Sequence, residues 1–329
     1  MKPFRNVWQL AVGVGLIYLL LAMPSGIYAQ QNIQFGQYIF NGLAVNPAYA
    51  GYKEAWYING TYRDQWTGFI GAPKTAVVSV DGSFWERNRF GVGFQLINDR
   101  LGAQNNTGGA ASFAYRIPLD EADSRRLCFG ISAGIYNYRI DRNKLNPLDP
   151  YDQELEQLKS VTNPDAGLGV YYSTPKLYAG LSALNLISRH ENVLTTIKRA
   201  PHLYLTSGML FNVSDRVKLK PSILVKEDFK GPTNMDFNAF ILFNDRIWLG
   251  GSYRTRVSFW NKDHLQPDLT YLDAWSVIID FFVTKQLRIG YAYDYTLTEI
   301  ANYEHGSHEI SIGYTFKRKE QIIISPRYF

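Results

Sequence analysis

Residues 287–295, LRIGYAYDY, alternate strictly between large apolar side chains and small or polar ones. The same period of two recurs in residues 127–135, LCFGISAGI, and in residues 310–316, ISIGYTF. Successive side chains of a β-strand point to opposite faces, so each stretch predicts a strand with one apolar face and one small or polar face.

Segments of this kind recur along most of the chain. Fourteen of them can be traced, beginning near residues 55, 73, 88, 106, 125, 164, 176, 202, 216, 233, 245, 272, 285 and 305. Most run about ten to thirteen residues, the length that a tilted strand needs to cross a bilayer.

The links between the segments sort by parity. Links after even-numbered segments are mostly tight, as at 244–245 and 284–285, whereas several after odd-numbered segments are long, as at 65–73 and 255–271. Bacterial outer-membrane barrels have short periplasmic turns and longer extracellular loops. The sequence therefore predicts an all-β transmembrane outer-membrane β-barrel of about 14 antiparallel strands; a secreted sandwich or propeller is the alternative.

The N-terminus predicts export. Lys2 and Arg5 precede an apolar run over residues 8–23, and Ile27 and Ala29 give an aliphatic and a small residue at positions −3 and −1 of a cut before Gln30. This is the layout of a signal peptide cut between Ala29 and Gln30. A permanent membrane anchor is the alternative. We expect a signal peptide over 1–29, a periplasmic or plug-like segment over 30–54, and the barrel with a C-terminal tail over 55–329.

Composition is consistent with a membrane barrel. Aromatic residues make up 15% of the chain, and Tyr and Trp favour positions between hydrocarbon and water. The formal net charge is +5, and the basic residues are scattered along the chain. The sequence has no dense Lys/Arg stripe that could follow a phosphate backbone, so we do not expect nucleic acid as a partner. We expect outer-membrane lipid to surround the barrel.

Three motifs in the N-terminal third carry a family resemblance. They are FGQYIFNGLAVNPAYAGY at 35–52, YRDQWTGFIGAPKT at 62–75 and GVGFQLINDRLG at 91–102, and the chain ends in SPRYF. In this order and spacing they closely resemble the PorP/SprF family of the type IX secretion and gliding machinery in Bacteroidota. The motif residues are Asn46, Pro47, Ala50, Gly51, Arg63, Gln65, Trp66, Gly71, Pro73, Lys74, Asn98 and Asp99.

The resemblance implies a 14-stranded outer-membrane barrel with no known enzymatic activity. We expect no cofactor and no metal. It also implies a partner: either a type IX cargo that carries a C-terminal sorting domain, or a periplasmic anchor protein. A passive or substrate-specific pore is the alternative function, and an outer-membrane hydrolase is a second rival.

Two features of the interior follow from the residues themselves. The turn-forming pairs Asn46-Pro47 and Ala50-Gly51 predict that residues 32–54 tuck into the periplasmic mouth as a plug, with a disordered leader as the alternative. Several charged residues share the small-residue parity that faces the lumen: Arg63, Arg116, Arg254, Arg288 and Asp294. They either pair across a filled interior or are solvated in an open one.

The sequence gives little indication of a catalytic or metal-binding site. The histidines are His190, His202, His264, His305 and His308. Ser307 and His308 fall on opposite faces of a strand, which disfavours a nucleophile–base pair, and His305 with Glu309 gives too few ligands for a metal. The loop at 141–163 carries acidic side chains without the spacing of a calcium loop, and is interpreted as a surface loop that meets a partner; a variable loop without a partner is the alternative. These acidic residues are Asp141, Asp149, Asp152, Glu154 and Glu156.

Overall fold

A computed structural model describes residues 35–84, 89–145, 160–187, 200–257, 259, 262 and 271–316. The predicted signal-peptide junction at Ala29 and Gln30 lies outside these residues, as does the C-terminal SPRYF. None of the helices among the described residues is long and apolar enough to cross a membrane.

Fourteen strands follow one another along the chain. They are β1 (Tyr57–Asp64), β2 (Lys74–Phe84), β3 (Phe90–Leu101), β4 (Gln104–Pro118), β5 (Arg126–Ile140), β6 (Val161–Ser173), β7 (Leu177–Leu184), β8 (His202–Met209, continued by Phe211–Asn212), β9 (Val217–Glu227), β10 (Thr233–Phe243), β11 (Ile247–Val257), β12 (Leu272–Phe282), β13 (Leu287–Thr296) and β14 (Ser307–Thr315). Each begins within three residues of its predicted start.

The strands form one closed antiparallel barrel. Every strand pairs with its neighbours in sequence, and β1 closes the ring by pairing with β14 from Tyr57↔Thr315 to Asp64↔His308. A closed ring has no free sheet edge, so all strands can satisfy their backbone groups inside a bilayer. The predicted fold class and strand count are confirmed.

The two faces of β13 show why the opening stretch alternates. Ile289 and Tyr295 are exposed on the outer surface, where a membrane protein meets lipid. Arg288 and Asp294 point inward and are both 2% exposed. Large apolar side chains thus cover the outside of the barrel, and polar ones lie within it.

The links define two ends of the barrel, which we call the long-link end and the short-turn end. At the short-turn end, 174–176 and 244–246 are tight connections. At the long-link end, 65–73 and 297–306 are longer. The two-residue link at 102–103 is an exception, because it lies at the long-link end and is nonetheless tight.

Residues 35–55, which we call the luminal segment, precede β1. They form three short 3-10 turns, at Tyr38–Phe40, Gly42–Ala44 and Pro47–Tyr49. Most of their side chains are buried, and they pack against inward-facing residues from strands all round the ring. The segment therefore lies inside the barrel and forms the centre of its core.

Candidate functional site inside the barrel

The luminal segment runs along the lumen from one end to the other. Near the long-link end, the backbone N–H groups of Gly36 and Gln37 each donate to a carboxylate oxygen of Glu309, both at 2.8 Å. At the short-turn end, Glu54 accepts from the Arg126 guanidinium. The segment is thus fixed to the barrel wall at both ends by charge-assisted hydrogen bonds.

Aromatic rings hold the first turn of the segment. The Phe40 ring packs edge-on against Phe240 and Trp248, with centroids 6.0 and 5.7 Å apart. The Arg288 guanidinium lies 4.6 Å from the centroid of the Phe40 ring. Such edge-to-face and cation–π contacts add to the hydrophobic burial, so this turn is held against β10, β11 and β13.

A second aromatic cluster holds the third turn against β6 and β7. The Tyr49 ring stacks on Tyr52 at 4.9 Å and meets Tyr171 edge-on at 5.6 Å. Tyr171 in turn stacks on Tyr178 at 5.8 Å. The four tyrosines fill the lumen on the side of the barrel opposite the Phe40 cluster.

The NPAYAG motif shapes the turn between these clusters. Asn46 caps the Pro47–Tyr49 turn by accepting from the backbone N–H of Ala48 at 2.9 Å, and its amide donates to the Val170 carbonyl at 3.0 Å. Pro at the first position of such a turn has its φ already fixed and lacks an N–H that would go unpaired. These motif residues therefore position backbone rather than offer reactive groups.

The end of the motif is bound by two inward charges. The Ala50 carbonyl accepts from Arg116, and the Gly51 N–H donates to Asp81 at 2.8 Å. Gly51 has a φ of +67°, and a Cβ there would lie 2.5 Å from the Gly82 carbonyl oxygen. Only glycine fits this position, because a side chain would be strained and would collide with β2.

The barrel wall makes room for the segment in the same way. A Cβ on Gly130 would lie 2.2 Å from the Ala48 nitrogen, and one on Gly91 would lie 2.0 Å from the Ala50 oxygen. These glycines alternate with large outward residues in the sequence. Because these glycines have no side chain, the luminal segment can pack directly against the barrel wall.

Buried ion pairs fill the lumen beside Glu309. Arg63 contacts Asp294 at 2.6 Å and Glu309 at 3.1 Å, and all three side chains are at most 2% exposed. Arg254 contacts Asp236 at 2.9 Å. Charges of opposite sign cross-link the strands here, which favours pairing over solvation, the two possibilities that the sequence left open.

Arg116 and Arg288 follow the same pattern. Arg288 pairs with Asp280 and donates to Asn59 at 2.7 Å, and Arg116 binds the luminal segment. Asp280 was not among the predicted inward charges, and Glu309 was considered only as a weak metal ligand. The signal that identifies both is a carboxylate on the inward parity of a strand whose other face is apolar.

The second motif closes the rim at the long-link end. In the loop at 65–73, Gln65 donates its N–H to the Pro73 carbonyl at 2.9 Å, and Trp66 donates its N–H to the Ser307 hydroxyl at 3.0 Å. Gly71, with a φ of +81°, accepts from the N–H of residue 102 at 2.8 Å. The loop is therefore joined to both neighbouring links.

The other motif residues support the same rim. Lys74 pairs with Asp64 at 3.0 Å on the outside of the barrel. Asn98 donates to the Thr107 hydroxyl at 2.6 Å. Asp99 accepts from the Thr75 hydroxyl at 2.6 Å. The motif residues thus divide into a group that holds the luminal segment and a group that shapes the rim.

The remaining chemical candidates are dispersed. His308 points outward to the Tyr291 hydroxyl at 2.7 Å, whereas Ser307 faces inward, so the predicted divergence of this pair is observed. His202 is buried, with its Nδ1 2.7 Å from the Ala200 carbonyl. Asp141 caps a 3-10 turn by accepting from the Asn143 N–H at 3.2 Å. His190, His264, Asp149, Asp152, Glu154 and Glu156 lie outside the described residues.

A cavity, which we call the luminal cavity, remains in the half of the barrel towards the long-link end. Its volume is about 70 Å³, and it is partly open to solvent. Its floor is formed by the luminal segment, with Phe35, Leu43 and Val45, and its wall by β3 to β9. The ion pairs of Arg63 and Arg254 lie towards the same end, on the other side of the ring, between β10, β11, β13, β14 and β1.

A closed ring of fourteen antiparallel strands, apolar outside and polar within, defines an integral outer-membrane β-barrel. The family model of the type IX secretion system membrane protein PorP/SprF matches residues 27–314. The chain therefore belongs to the PorP/SprF family, as the motifs predicted. No curated protein matches the chain.

The chain is also similar to solved structures of an outer-membrane protein and of porins. The Acinetobacter baumannii outer membrane protein Omp33 is 8% identical, with a TM-score of 0.47, and the match covers 81% of this chain and 100% of Omp33. The KdgM porin is 10% identical with a TM-score of 0.37, covering 79% and 99%. A triple mutant of the Rhodopseudomonas blastica porin is 6% identical with a TM-score of 0.36, covering 80% and 99%.

Proposed function

We propose that this barrel is a recognition component of the type IX secretion and gliding machinery. It binds either an exported surface protein that carries a C-terminal sorting domain or a periplasmic anchor protein, and it has no enzymatic activity of its own. Membership of the PorP/SprF family supports the assignment of this barrel to the type IX secretion system. In this proposal the signal peptide directs export, and the long-link end faces the cell exterior.

The filled lumen is the observation that favours a role in protein recognition over a role as a pore. Buried ion pairs at Arg63 and Arg254 occupy the interior on one side of the ring, and the luminal segment starts beside them at Glu309 and runs to Arg126 at the short-turn end. A pore needs a continuous wet path, and side chains that are at most a few per cent exposed leave water no contact with them. The luminal segment therefore acts as a plug in this proposal.

The test is affinity purification of the tagged protein from native outer membranes in mild detergent, followed by mass spectrometry. A large exported protein in near-equal amount would identify a cargo, whereas motor-ring or peptidoglycan-binding proteins would identify an anchor. Recovery of the barrel alone would contradict the proposal.

Conductance and labelling test the two rivals. We expect the purified protein to give no stable ion conductance in planar bilayers, because the plug closes the lumen. Steady channels would favour the pore instead. Labelling by an active-site serine probe would favour the hydrolase, and we expect none.

A further inference from the structure

Towards the long-link end, one arc of the outer surface changes from apolar to polar and then to basic. The apolar row consists of Val78, Leu96 and Ile135, on β2, β3 and β5, and each side chain is more than half exposed. Apolar side chains on the outside of a membrane barrel meet the hydrocarbon of the bilayer. Tyrosine and neutral polar groups favour the boundary with the headgroups, and they form the row two residues nearer the rim. This polar row contains Tyr62, Asn98, Thr107, Asn137 and Thr162.

The next row towards the rim, which we call the basic row, is Lys74, Arg100, Asn105 and Arg139. These residues lie opposite one another in the register of β2 to β5, on the outward parity of each strand. Arg100 is four residues beyond Leu96 of the apolar row, which is about 13 Å along the strand. The tilt of strands in such barrels reduces this to roughly 10 Å along the membrane normal. The basic row therefore lies at the level of the lipid headgroups.

The charges of the basic row are only partly neutralised by the protein. Lys74 pairs with Asp64 of β1 at 3.0 Å. Lys74 and Arg100 lie directly opposite each other, and like charges in that position destabilise a sheet. Within the part of the chain that the structure describes, neither Arg100 nor Arg139 forms an ion pair. An anion bound beside these two arginines would remove the repulsion.

Hydrogen-bond donors of three neighbouring strands are available to that anion. Arg100 donates from its Nε to the Asn98 side-chain oxygen at 3.2 Å, which leaves its two terminal nitrogens for another acceptor. The Asn105 oxygen accepts from the Asn98 amide at 2.9 Å, so the Asn105 amide nitrogen is left as a donor. The strands of Arg100 and Arg139 flank Asn105 and lie about 10 Å apart, so two long side chains can reach one anion between them.

We propose that Arg100, Asn105 and Arg139 bind a phosphate group on a lipid headgroup in the outer leaflet of the outer membrane. The planar fork of arginine matches the oxygens of a phosphate and binds them through charge-assisted hydrogen bonds. The acyl chains of the same lipid run over Leu96 and Ile135, which lie below the basic row on the same strands. The site does not depend on the recognition role proposed above; only the choice of leaflet uses the proposed orientation.

Native mass spectrometry of the purified full-length barrel in mild detergent tests the site. The probes are lipid A with its phosphates and lipid A from which they have been removed. Wild-type protein should retain the phosphorylated form about tenfold more, since two charge-assisted contacts depend on the phosphate. The double variant Arg100→Gln with Arg139→Gln should lose this preference. The matched control, Arg216→Gln with Arg246→Gln, removes two exposed arginines at the short-turn end and should keep it.

All variants are first checked for the heat-dependent gel shift of a folded barrel. Equal retention of the two lipids by wild-type protein, or an unchanged preference in the folded Arg100→Gln, Arg139→Gln protein, would overturn the inference. Inorganic phosphate at the same concentration as the lipid should not displace it, because it has no acyl chains to cover the apolar row. Displacement would make this a general anion site and would overturn the lipid assignment.

Two further measurements separate the remaining outcomes. A membrane-impermeant maleimide should label Ile70→Cys on intact cells, because Ile70 is 97% exposed in the loop at the same end, and Cys128 at 1% exposed gives the background. Labelling only after the cells are broken would overturn the choice of leaflet. Loss of the co-purified protein partner by an arginine double variant that still prefers phosphorylated lipid would assign the basic row to a protein contact instead. If wild-type protein retains the lipid but no protein partner, the proposed function fails and this inference stands.

Discussion

Replacing Arg63 by methionine tests whether the lumen is held by buried charge. Arg63 contacts Asp294 at 2.6 Å and Glu309 at 3.1 Å, and the three side chains are at most 2% exposed. Removing one partner of a buried ion pair typically costs about 3–5 kcal/mol, since the remaining charge is uncompensated. We expect the free energy of unfolding of Arg63→Met to fall by this amount, or about a hundred- to several-thousand-fold in the folding equilibrium.

Arg63 also has an indirect role that raises the expected cost. Glu309 binds the N–H groups of Gly36 and Gln37, and Arg63 holds that carboxylate in place. Loss of Arg63 should therefore loosen the start of the luminal segment as well as the wall. A rise in proteolysis near residue 36 would report this second effect separately from global unfolding.

The assay is reversible urea unfolding in lipid vesicles, followed by tryptophan fluorescence and by the gel mobility of the folded barrel. Lys74→Met is the matched control, because Lys74 pairs with Asp64 on the exposed outside and should matter little. The double variant Arg63→Met with Asp294→Asn should recover part of the loss, since it removes one uncompensated charge. Equal stability of Arg63→Met and wild type would refute the reasoning.

Three further changes have defined outcomes. Gly51→Ala should destabilise the barrel by about 1–3 kcal/mol in the same urea assay, because φ is +67° and Gly82 is too close; an unchanged midpoint would contradict this. Ile70→Ser should stay within about 0.5 kcal/mol of wild type, because Ile70 is 97% exposed. The Asp120 carboxylate should titrate in carbon NMR with a pKa of about 2, lowered by hydrogen bonds from Ser124 and Arg125. Because the pKa of Asp120 is lower in the folded protein, the carboxylate should stabilise the turn fully at pH values above the ordinary pKa of an aspartate, and this stabilisation should be lost as the pH falls through about 2. A measured pKa near 4 would contradict the hydrogen bonds from Ser124 and Arg125.

Most of the barrel could be predicted from local pattern. The alternation in LRIGYAYDY places Arg288 and Asp294 on one face and Ile289 and Tyr295 on the other, and the structure has them there. The lengths of the links predicted which end of the barrel carries long links and which carries short turns, and only the tight link at 102–103 among those discussed departs from this pattern. A two-residue periodicity is a property of each strand alone, which is why it is visible without knowing the partner strands.

Partners across the lumen could not be predicted in this way. Nothing in the order of residues connects Arg63 to Asp294, or Gly36 to Glu309, because the contacts join positions more than 200 residues apart. The same holds for the cavity, whose wall and floor come from separate parts of the chain. Their positions depend on ring closure and on the path of the luminal segment.

The sequence by itself determined the class of fold, the number of strands and the family, because strand length, side-chain alternation and short motifs are local properties. Only the tertiary structure decided that the inward charges are paired rather than solvated, that residues 35–55 lie within the ring, and that a cavity remains at the long-link end. Those outcomes depend on which residues meet when the ring of strands closes around the luminal segment. Such long-range contacts follow from the geometry of the whole barrel, which no single stretch of sequence specifies.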